Sequence, residues 1–347
     1  MRIGLIRKRF SPTGGAERYL ERLAGELQER GHEVLLICEE WQGTGSNVPA
    51  AVHVRPWTTA KVADLLLKGR IKPKVDVTLS LERIPGCDLY RAGDGVHAEW
   101  LRQRSRYSPL LGRWRNWIKR KNREILEAER GVFGSSGAKL VIANSEMVKR
   151  DIIAHFDYPE HRIRVVRNGI PVERFASGNR TEGRRALGLA QDAYVVLLVG
   201  AGAERKGVAY ARRAVSGMKN THLVVIDSPQ TIPMPDIYAA ADVFLLPTLY
   251  DPFANVTLEA LASGLPVVTT THNGGHEILT EGQNGFILQR ADAVEEMRGY
   301  LERLKDHEMR ETMAAQAQEL GRRFDLSRNV DATLQVCEEV ATKKALC

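Results

Sequence analysis

The chain has 347 residues, a formal net charge of +7 at pH 7 and a sequence pI of about 9.2. Its length exceeds one ordinary hydrophobic core and predicts two domains of roughly 150 residues each. The four cysteines show no paired spacing, and no apolar run approaches the roughly 18 residues that cross a bilayer. We therefore expect a protein of a reduced, cytosolic compartment that is neither secreted nor membrane-spanning. The positive charge suits an anionic partner, whether nucleic acid, lipid headgroup or phosphorylated sugar, and does not choose among them.

The amino-terminal half alternates strand-like and helix-like segments. Short apolar runs that read as buried strands are RIGLI, EVLLIC, DVTLSL, DLYRAG, KLVIAN and IRVVRN. Between the first two, a helical pattern from Ala16 to Arg30 places leucines on one face and stops at Gly31. This alternation predicts a βα repeat built on a parallel sheet.

A glycine turn follows the first predicted strand. Ser11-Pro12-Thr13-Gly14-Gly15 opens onto the helix, so its backbone amides could approach an anion closely. The turn alone does not establish an anion site, because glycine before a helix often only allows the backbone to turn.

The end of the DLYRAG strand carries two polar candidates, Asp94 and His97. A cap for the following helix explains Asp94 almost as well as a functional role does.

The segment from Trp100 to Arg123 contains no acidic residue and interleaves aromatic rings with basic side chains. This pattern favours contact with an anionic membrane surface. A solvated helix with inward tryptophans and a single-stranded nucleic acid site are the alternatives. The residues that we assign to the membrane surface are Arg113, Trp114, Arg115, Trp117, Lys119, Arg120 and Lys121.

The alternation restarts after a polar stretch that follows Asn168-Gly169. The later strand-like runs are YVVLLVG, HLVVID, VFLLPT, PVVTTT and GFIL, and the chain reads as helical beyond about Leu301. We therefore expect a first domain at 1–169, a second at 170–325, and a C-terminal helix at 326–347 that packs back on the first domain.

The run GAGAERKGV from Gly200 lies between a predicted strand and a predicted helix. Arg205 and Lys206 could neutralise a diphosphate whose charge grows as a bond to it breaks. Gly200 and Gly202, with Asp227 ending a later strand, also imitate a dinucleotide fingerprint, although Arg205 occupies its third glycine position. An NAD-binding protein is thus an outside alternative.

The most informative segment begins at Tyr250, where Asp251 precedes a second acid, Glu259, by eight positions. A strand precedes and a helix follows, so both acids fall at the carboxyl edge of a parallel sheet, where open α/β folds bind ligands. Asn255 is expected to cap that helix. Carboxylates that accept hydroxyl hydrogen bonds and free helix amides together suit a sugar nucleotide.

These motifs together resemble those of the family 4 retaining glycosyltransferases. The family signature is Glu-Pro-Phe-Gly with a second Glu eight positions after the first; here Asp251 and Ala254 replace the first Glu and the Gly. The resemblance covers most of the chain. It implies the GT-B fold, an α/β architecture of two Rossmann-like domains facing across a cleft, with C-terminal helices returning toward the first domain.

The resemblance also implies residue roles. Asp251 would lie near the reacting sugar, Glu259 would hold the ribose, and Arg205 and Lys206 would compensate the diphosphate. Asp94 and His97 are further catalytic candidates, and Gly274, Gly275 and Glu277 are expected to bring backbone near the donor. Further donor-binding candidates are Gly14, Gly15, Asn168, Arg174, Gly202, Pro252, Phe253, Ala254, Asn255 and Val256.

The expected activity is transfer of a hexose from a nucleoside-diphosphate sugar to an acceptor with retention of configuration, and the expected donor is a UDP-sugar. A similar basic segment in members that build lipopolysaccharide core implies a cell-envelope glycolipid acceptor at the inner face of the cytoplasmic membrane. We expect no cofactor and no nucleic acid partner. We also expect no metal ion, because no Asp-x-Asp is present and His272 and His276 flank a turn. A non-catalytic sugar-nucleotide or anion-binding protein is the alternative.

The chain departs from the family between HLVVID and PMPDIYAAAD. Family members usually carry a further helix and strand there, with a turn that frames the nucleobase. Only SPQTI intervenes here, so the resemblance does not extend to the turn that frames the nucleobase.

Overall fold

The computed structural model describes residues 1–9, 15–40, 50–108 and 119–345. The described chain divides into two compact units, Met1–Val166 with Asn329–Cys347, and Arg167–Arg328. Each unit is built on one parallel sheet.

The first unit contains a seven-stranded sheet with the order β3-β2-β1-β4-β5-β6-β7. All of its pairings are parallel, as expected for strands with few polar residues. Its strands are β1 (Arg2–Ile6), β2 (Glu33–Cys38), β3 (Ala50–His53), β4 (Val77–Ser80), β5 (Leu89–Arg91), β6 (Leu140–Ala143) and β7 (Ile163–Val165). Its helices are α1 (Gly15–Glu29), α2 (Thr59–Leu67), α3 (His97–Tyr107), α4 (Arg120–Phe133) and α5 (Glu146–Phe156), with a 3-10 turn at Glu160–Arg162.

The second unit contains a five-stranded parallel sheet with the order β12-β11-β10-β8-β9. Its strands are β8 (Tyr194–Val199), β9 (Thr221–Ile226), β10 (Val243–Leu246), β11 (Val267–Thr270) and β12 (Gly285–Leu288). Its helices are α6 (Val172–Ala176), α7 (Arg180–Ala186), α8 (Val208–Val215), α9 (Met234–Ala240), α10 (Asn255–Ala262), α11 (Val294–Arg303) and α12 (His307–Gly321), with 3-10 turns at Gly274–Ile278 and Arg322–Phe324.

Alternate residues of the central strands of this second sheet point into two separate cores. Val195 and Leu197 of β8 join Phe244 of β10 in the core beneath α10. Val196 and Leu198 face the opposite core, under α8 and α11. Both faces are therefore apolar, which explains why these strands read as continuous hydrophobic runs.

The last helix, α13 (Leu326–Ala345), leaves the second unit and belongs to the first from Asn329 onward. Ion pairs bind it to the first unit. Arg164 pairs with Glu339 at 2.7 Å, Arg30 with Asp331 at 3.0 Å, and Lys344 with Asp88 at 3.2 Å. The sequence analysis placed the domain boundaries at 169/170 and 325/326, and the two units of the structure divide at 166/167 and 328/329.

The sequence analysis missed one strand of the first sheet. β3 pairs with β2 at the sheet edge, and its four residues are exposed or half-exposed. A short edge strand carries too little apolar pattern to be detected. Within the described ranges, no helix is long and apolar enough to span a bilayer.

Candidate functional site

Three loops meet at the carboxyl edge of the second sheet, following β8, β10 and β11. The Arg205 carbonyl accepts hydrogen bonds from the Leu249 amide and the Thr248 hydroxyl, each at 2.8 Å. The Asp251 amide donates to the His272 carbonyl, and the Gly274 amide donates to the Asp251 carbonyl, also at 2.8 Å. Backbone bonds thus fix the positions of the three loops that carry the predicted site residues.

Two glycines let the first loop pack this closely. Gly207 has φ +73°, and a Cβ there would lie 2.0 Å from the Pro247 carbonyl oxygen. Gly200 has φ +139°, and its Cβ would lie 2.6 Å from Cε of Lys206. The lysine stem therefore crosses directly over the Gly200 backbone, which only glycine permits.

The centre of the site is a buried ion pair. Nζ of Lys206 donates to Oδ2 of Asp251 at 2.8 Å, and both side chains are less than a tenth exposed. Nη2 of Arg205 lies 3.8 Å from the same oxygen, and the Arg205 side chain is 41% exposed. One carboxylate is therefore shared by two cations, of which only the arginine reaches solvent freely.

Opposing effects set the pKa of Asp251. Burial alone would raise it, but the charges of Lys206 and Arg205 and hydrogen bonds from Lys206 and the Phe253 amide lower the pKa below its ordinary value. The carboxylate is therefore ionised at neutral pH.

The sequence analysis did not predict this pairing. There, Asp251 and Lys206 were separate contacts, to the sugar and to the diphosphate; in the structure they are each other's partner. Because Asp251 is buried and bonded, its arrangement suits orientation of Lys206 better than attack on an anomeric carbon.

Asn273 organises the loops and was not predicted. It is fully buried. Its Oδ1 accepts from the amides of Ala254 at 3.2 Å and Gly275 at 3.0 Å, and its Nδ2 donates to Thr257 at 3.0 Å and Thr269 at 3.1 Å. All hydrogen-bonding groups of the side chain are used, so Asn273 joins two loops, α10 and β11. An asparagine within a polar turn gives no sequence signal for this role.

The start of α10 differs from the prediction. Asn255 is the first helical residue rather than the cap, and Ala254 occupies the cap position without a side-chain bond. The Asn255 side chain instead accepts a hydrogen bond from Nδ2 of Asn168 at 2.6 Å, and the same nitrogen donates to the Phe253 carbonyl at 3.2 Å. Asn168 therefore lies beside the start of α10, held there by hydrogen bonds to Phe253 and Asn255.

Some backbone amides at the start of α10 already donate hydrogen bonds within the protein, and others do not. The Ala254 amide donates to Asn273, so it is already satisfied. Among the described residues, the amides of Asn255 and Val256 have no acceptor, as is usual in a first helical turn. These two amides, rather than that of Ala254, are positioned to bind an anion.

Glu259 lies one turn further along α10 and is half-buried. The hydroxyl of Tyr238, from α9, donates to its Oε2 at 2.7 Å. Tyr238 is fully buried, and burial together with the adjacent Glu259 raises its pKa well above the ordinary value.

The other predicted residues of this unit occupy varied positions. Gly202 is exposed with φ +85°, and Arg174 is exposed on α6, where its guanidinium lies 5.8 Å from the Phe175 ring centroid. Pro252 and Phe253 are buried, and Val256 is half-buried. Glu277, in the 3-10 turn with Gly274 and Gly275, lies 3.5 Å from Arg167.

In the first unit, Asp94 and His97 lie beyond the end of β5. Asp94 is 66% exposed and 3.7 Å from Arg83, while His97 begins α3 and contacts Asn122 at 3.1 Å. Burial lowers the pKa of His97. Neither residue caps α3 with its side chain.

The cap of α3 comes from elsewhere, which the sequence analysis missed. Glu129, fully buried on α4, accepts hydrogen bonds from the amides of His97 at 2.6 Å and Ala98 at 3.2 Å and pairs with Arg83 at 3.1 Å. A carboxylate bound to first-turn amides is a favourable helix-dipole contact. It fixes His97 at the carboxyl edge of the first sheet.

Several predicted residues fall outside the described residues. They are Gly14 of the glycine turn and Arg113, Trp114, Arg115 and Trp117 of the basic segment. Gly15 is the first residue of α1. Lys119, Arg120 and Lys121 lie at the exposed start of α4, where Arg120 pairs with Glu124 at 2.8 Å.

In the described part of the chain, no group of three or more His, Cys, Asp or Glu side chains is arranged to bind a metal ion. Nδ1 of His276 contacts the Asn273 carbonyl oxygen at 2.8 Å.

Solved structures share the fold. WaaG, a glycosyltransferase involved in lipopolysaccharide biosynthesis, matches with a TM-score of 0.78 at 20% identity, over 96% of this chain and 99% of WaaG. HepE of Anabaena in complex with UDP and glucose matches with a TM-score of 0.73 at 18% identity, over 98% and 99%. A sucrose-phosphate synthase from Thermosynechococcus elongatus matches at 0.74 and 16% identity, over 99% of each chain. The two parallel sheets and these likenesses define a protein of the GT-B class.

Sequence relatives specify the family. The model described as Glycosyl transferases group 1 matches residues 185–307, and that described as Glycosyltransferase Family 4 matches 13–76 and 92–174. The lipopolysaccharide glucosyltransferase WaaG of Escherichia coli K12 is 23% identical over 329 residues, 83% of this chain and 85% of WaaG. A D-inositol 3-phosphate glycosyltransferase of Salinispora arenicola is 25% identical over 397 residues, 94% of this chain and 87% of the relative. The chain belongs to the group 1 and family 4 glycosyltransferases.

Proposed function

We propose that this glycosyltransferase transfers a hexose from a nucleoside-diphosphate sugar, with retention of configuration and without a metal ion, to a cell-envelope glycolipid. The observation that carries the proposal is the convergence of Lys206 and Arg205 on Asp251 at the carboxyl edge of the second sheet. The open amides of Asn255 and Val256 belong to the next loop at the same edge.

Two cations and two helix amides suit a diphosphate. When the glycosidic bond breaks, negative charge grows on the leaving phosphate, and fixed cations stabilise that state more than the bound substrate. Arg205 is exposed enough to meet the donor first. Lys206 is held by Asp251, so the diphosphate would take over part of the bond that the carboxylate makes.

In the proposed reaction, the bond between the anomeric carbon and the phosphate oxygen breaks within a short-lived ion pair. The acceptor hydroxyl oxygen forms the new bond from the same face, and its proton passes to the departing phosphate. Asp251 orients Lys206 and makes no covalent bond, because its carboxylate is buried and engaged. His97 and Asp94 are proposed as further catalytic residues on the basis of the family resemblance.

A UDP-sugar is the proposed donor. HepE, which shares the fold, was solved with UDP-glucose and with UDP and glucose. The connection between β9 and α9 in this chain is short, from Asp227 to Pro233, and mostly exposed. We therefore expect weaker discrimination among nucleobases than among sugars.

The decisive experiment measures turnover with a panel of UDP-, GDP- and ADP-sugars in EDTA and in Mg²⁺. The proposal predicts release of nucleoside diphosphate from at least one donor, at equal rates in both buffers, and acceleration by a lipopolysaccharide-core acceptor. A pure sugar-nucleotide binder would be stabilised thermally by the donor yet release nothing. Stabilisation by NADH and not by UDP would indicate the dinucleotide alternative.

The acceptor proposal places the protein at the inner face of the cytoplasmic membrane. Its support is the similarity to a lipopolysaccharide glucosyltransferase and the exposed cations at the start of α4. Cations near an anionic surface contribute about 1 kcal/mol each.

Vesicle flotation tests this. The triple variant Lys119→Glu, Arg120→Glu, Lys121→Glu should bind vesicles of anionic lipid at least tenfold more weakly than wild type, since three charges are reversed. The matched control reverses three exposed cations of the second unit, Arg212, Arg213 and Lys219. Equal losses in both variants, or equal binding of wild type to neutral vesicles, would contradict the assignment.

A further inference from the structure

The hydroxyl of Tyr238 is bound to one of the two acids in the family motif. Tyr238 is 0% exposed, and its hydroxyl donates to Oε2 of Glu259 at 2.7 Å. The ring packs edge-on against Phe175 with centroids 5.7 Å apart and lies 6.1 Å from Phe244. The tyrosine is therefore held on the protein side of the carboxylate, with no freedom to turn away.

Packing alone would not require a tyrosine at this position. Its surroundings are apolar, and a buried hydroxyl is tolerated because it has an acceptor. Burial and the neighbouring carboxylate raise the pKa of Tyr238 well above its usual value, so the hydroxyl keeps its proton and acts as a donor.

Glu259 itself lies where a ligand can reach it. On α10, the half-buried residues are the adjacent pair Asn255 and Val256 and, about one helical turn later, Glu259. Thr257 and Leu258 between them, and Ala260 after Glu259, are buried. A carboxylate can accept about four hydrogen bonds, and the Tyr238 hydroxyl occupies one of these positions.

We propose that Tyr238 is a positioning residue for nucleotide recognition: it fixes the rotamer of Glu259 so that the carboxylate meets the donor ribose hydroxyls already oriented. This rests on the proposed function and on the family resemblance, which assigns Glu259 to the ribose of the sugar nucleotide. A free glutamate must order three side-chain torsions on binding. The Tyr238 hydrogen bond orders them in advance, and this pre-organisation increases affinity without any contact between tyrosine and ligand.

Tyr238→Phe removes the hydroxyl and keeps the ring. Tyr194→Phe is the matched control, because Tyr194 is also buried and its hydroxyl donates to a backbone carbonyl, that of Leu301, at 2.9 Å, in the core on the other side of the sheet. Binding of UDP is measured by calorimetry. We expect Tyr238→Phe to raise the Kd about tenfold, the effect of one hydrogen bond to a charged group. Tyr194→Phe should leave it within twofold.

Two measurements distinguish a positioning role of Tyr238 from a nonspecific loss of structure in the variant. With the 2′,3′-dideoxy analogue of UDP, which lacks the ribose hydroxyls, Tyr238→Phe and wild type should bind equally. In a Glu259→Ala background, adding Tyr238→Phe should change the Kd by less than twofold, because the group that it orients is gone. In turnover assays, KM for the donor should rise while kcat stays within twofold.

The outcomes test the positioning role of Tyr238 separately from the assignment of Glu259 to the ribose. If Glu259→Ala leaves UDP binding unchanged, the assignment of Glu259 to the ribose is wrong and the inference fails with it. If Glu259→Ala weakens binding but Tyr238→Phe does not, the ribose contact stands and the positioning role is overturned. An equal loss with UDP and the dideoxy analogue would also overturn it.

Discussion

The buried pair of Lys206 and Asp251 predicts a large effect of a small substitution. Asp251→Asn keeps the shape and removes the charge, which leaves the lysine ammonium buried at 6% exposure without a counter-ion. At 2.8 Å and an effective dielectric of 20, the lost attraction is about 6 kcal/mol. Part of it offsets desolvation of the two ions. Removal of one partner from such pairs costs about 3 to 5 kcal/mol of stability, and we expect a loss in that range.

The assay must report on the second unit. All five tryptophans precede residue 118, so their fluorescence follows the first unit only. Hydrogen exchange of peptides covering β8 and β10 measures opening of the correct sheet, and the free energy of opening should fall by the stated amount in Asp251→Asn. The double variant with Lys206→Met removes both charges and should recover most of the loss.

The pH dependence provides an internal check on this reasoning. The pKa of Asp251 lies below its ordinary value in the folded protein, so its stabilising effect is complete above the unfolded pKa near 3.8 and disappears as pH falls through the lower folded value. The difference between wild type and Asp251→Asn should therefore be constant from pH 5 to 8 and shrink only in stronger acid. A difference below about 1 kcal/mol at pH 7, or a double variant less stable than both single variants, would refute the account.

Two further predictions test the loop geometry and the first unit. Gly207→Ala places a Cβ 2.0 Å from the Pro247 carbonyl and should destabilise the second unit by more than 2 kcal/mol, whereas Gly188→Ala, with a similar φ of +67° and no atom within 4 Å, should cost about 1 kcal/mol; equal thermal shifts of the two variants would show that the close approach is not present. His97 has a pKa lowered by burial, so the unfolded chain binds its proton first and wild-type stability should fall as pH drops below 6.5. The free energy of unfolding of His97→Gln, measured by urea titration with tryptophan fluorescence, should fall less over this pH range. An equally steep fall in wild type and variant would show that His97 does not cause the pH dependence.

Much of the fold follows from local pattern. In the second sheet, β8, β10 and β11 were found because they are buried on both faces, so each is a short apolar run between polar loops. The edge strand β9 is mostly half-buried and was found from its apolar run HLVVI. The carboxyl-edge location of Asp251 and Glu259 followed from the same pattern, since a parallel sheet brings its loops to one edge.

The contacts within the site were beyond local pattern. Lys206 and Asp251 are 45 residues apart, and nothing in either segment indicates that one neutralises the other. Asn273 and Glu129 act through backbone amides of distant loops, and side-chain identity alone does not reveal a buried hydrogen-bond acceptor. The error at Asn255 has a related cause: its side chain is bound to Asn168, so it is not available to cap its own helix.

The central claim is that fixed cations of the second unit, and no metal ion, receive the donor diphosphate. Calorimetric titration of UDP into wild type, Lys206→Met and the exposed-lysine control Lys219→Met, in EDTA and in Mg²⁺, tests it most directly. We predict binding to wild type and the control that is independent of Mg²⁺, and a loss of tenfold or more in Lys206→Met, as expected for a charged contact. Binding that requires Mg²⁺, or that is unaffected by Lys206→Met, would contradict the claim.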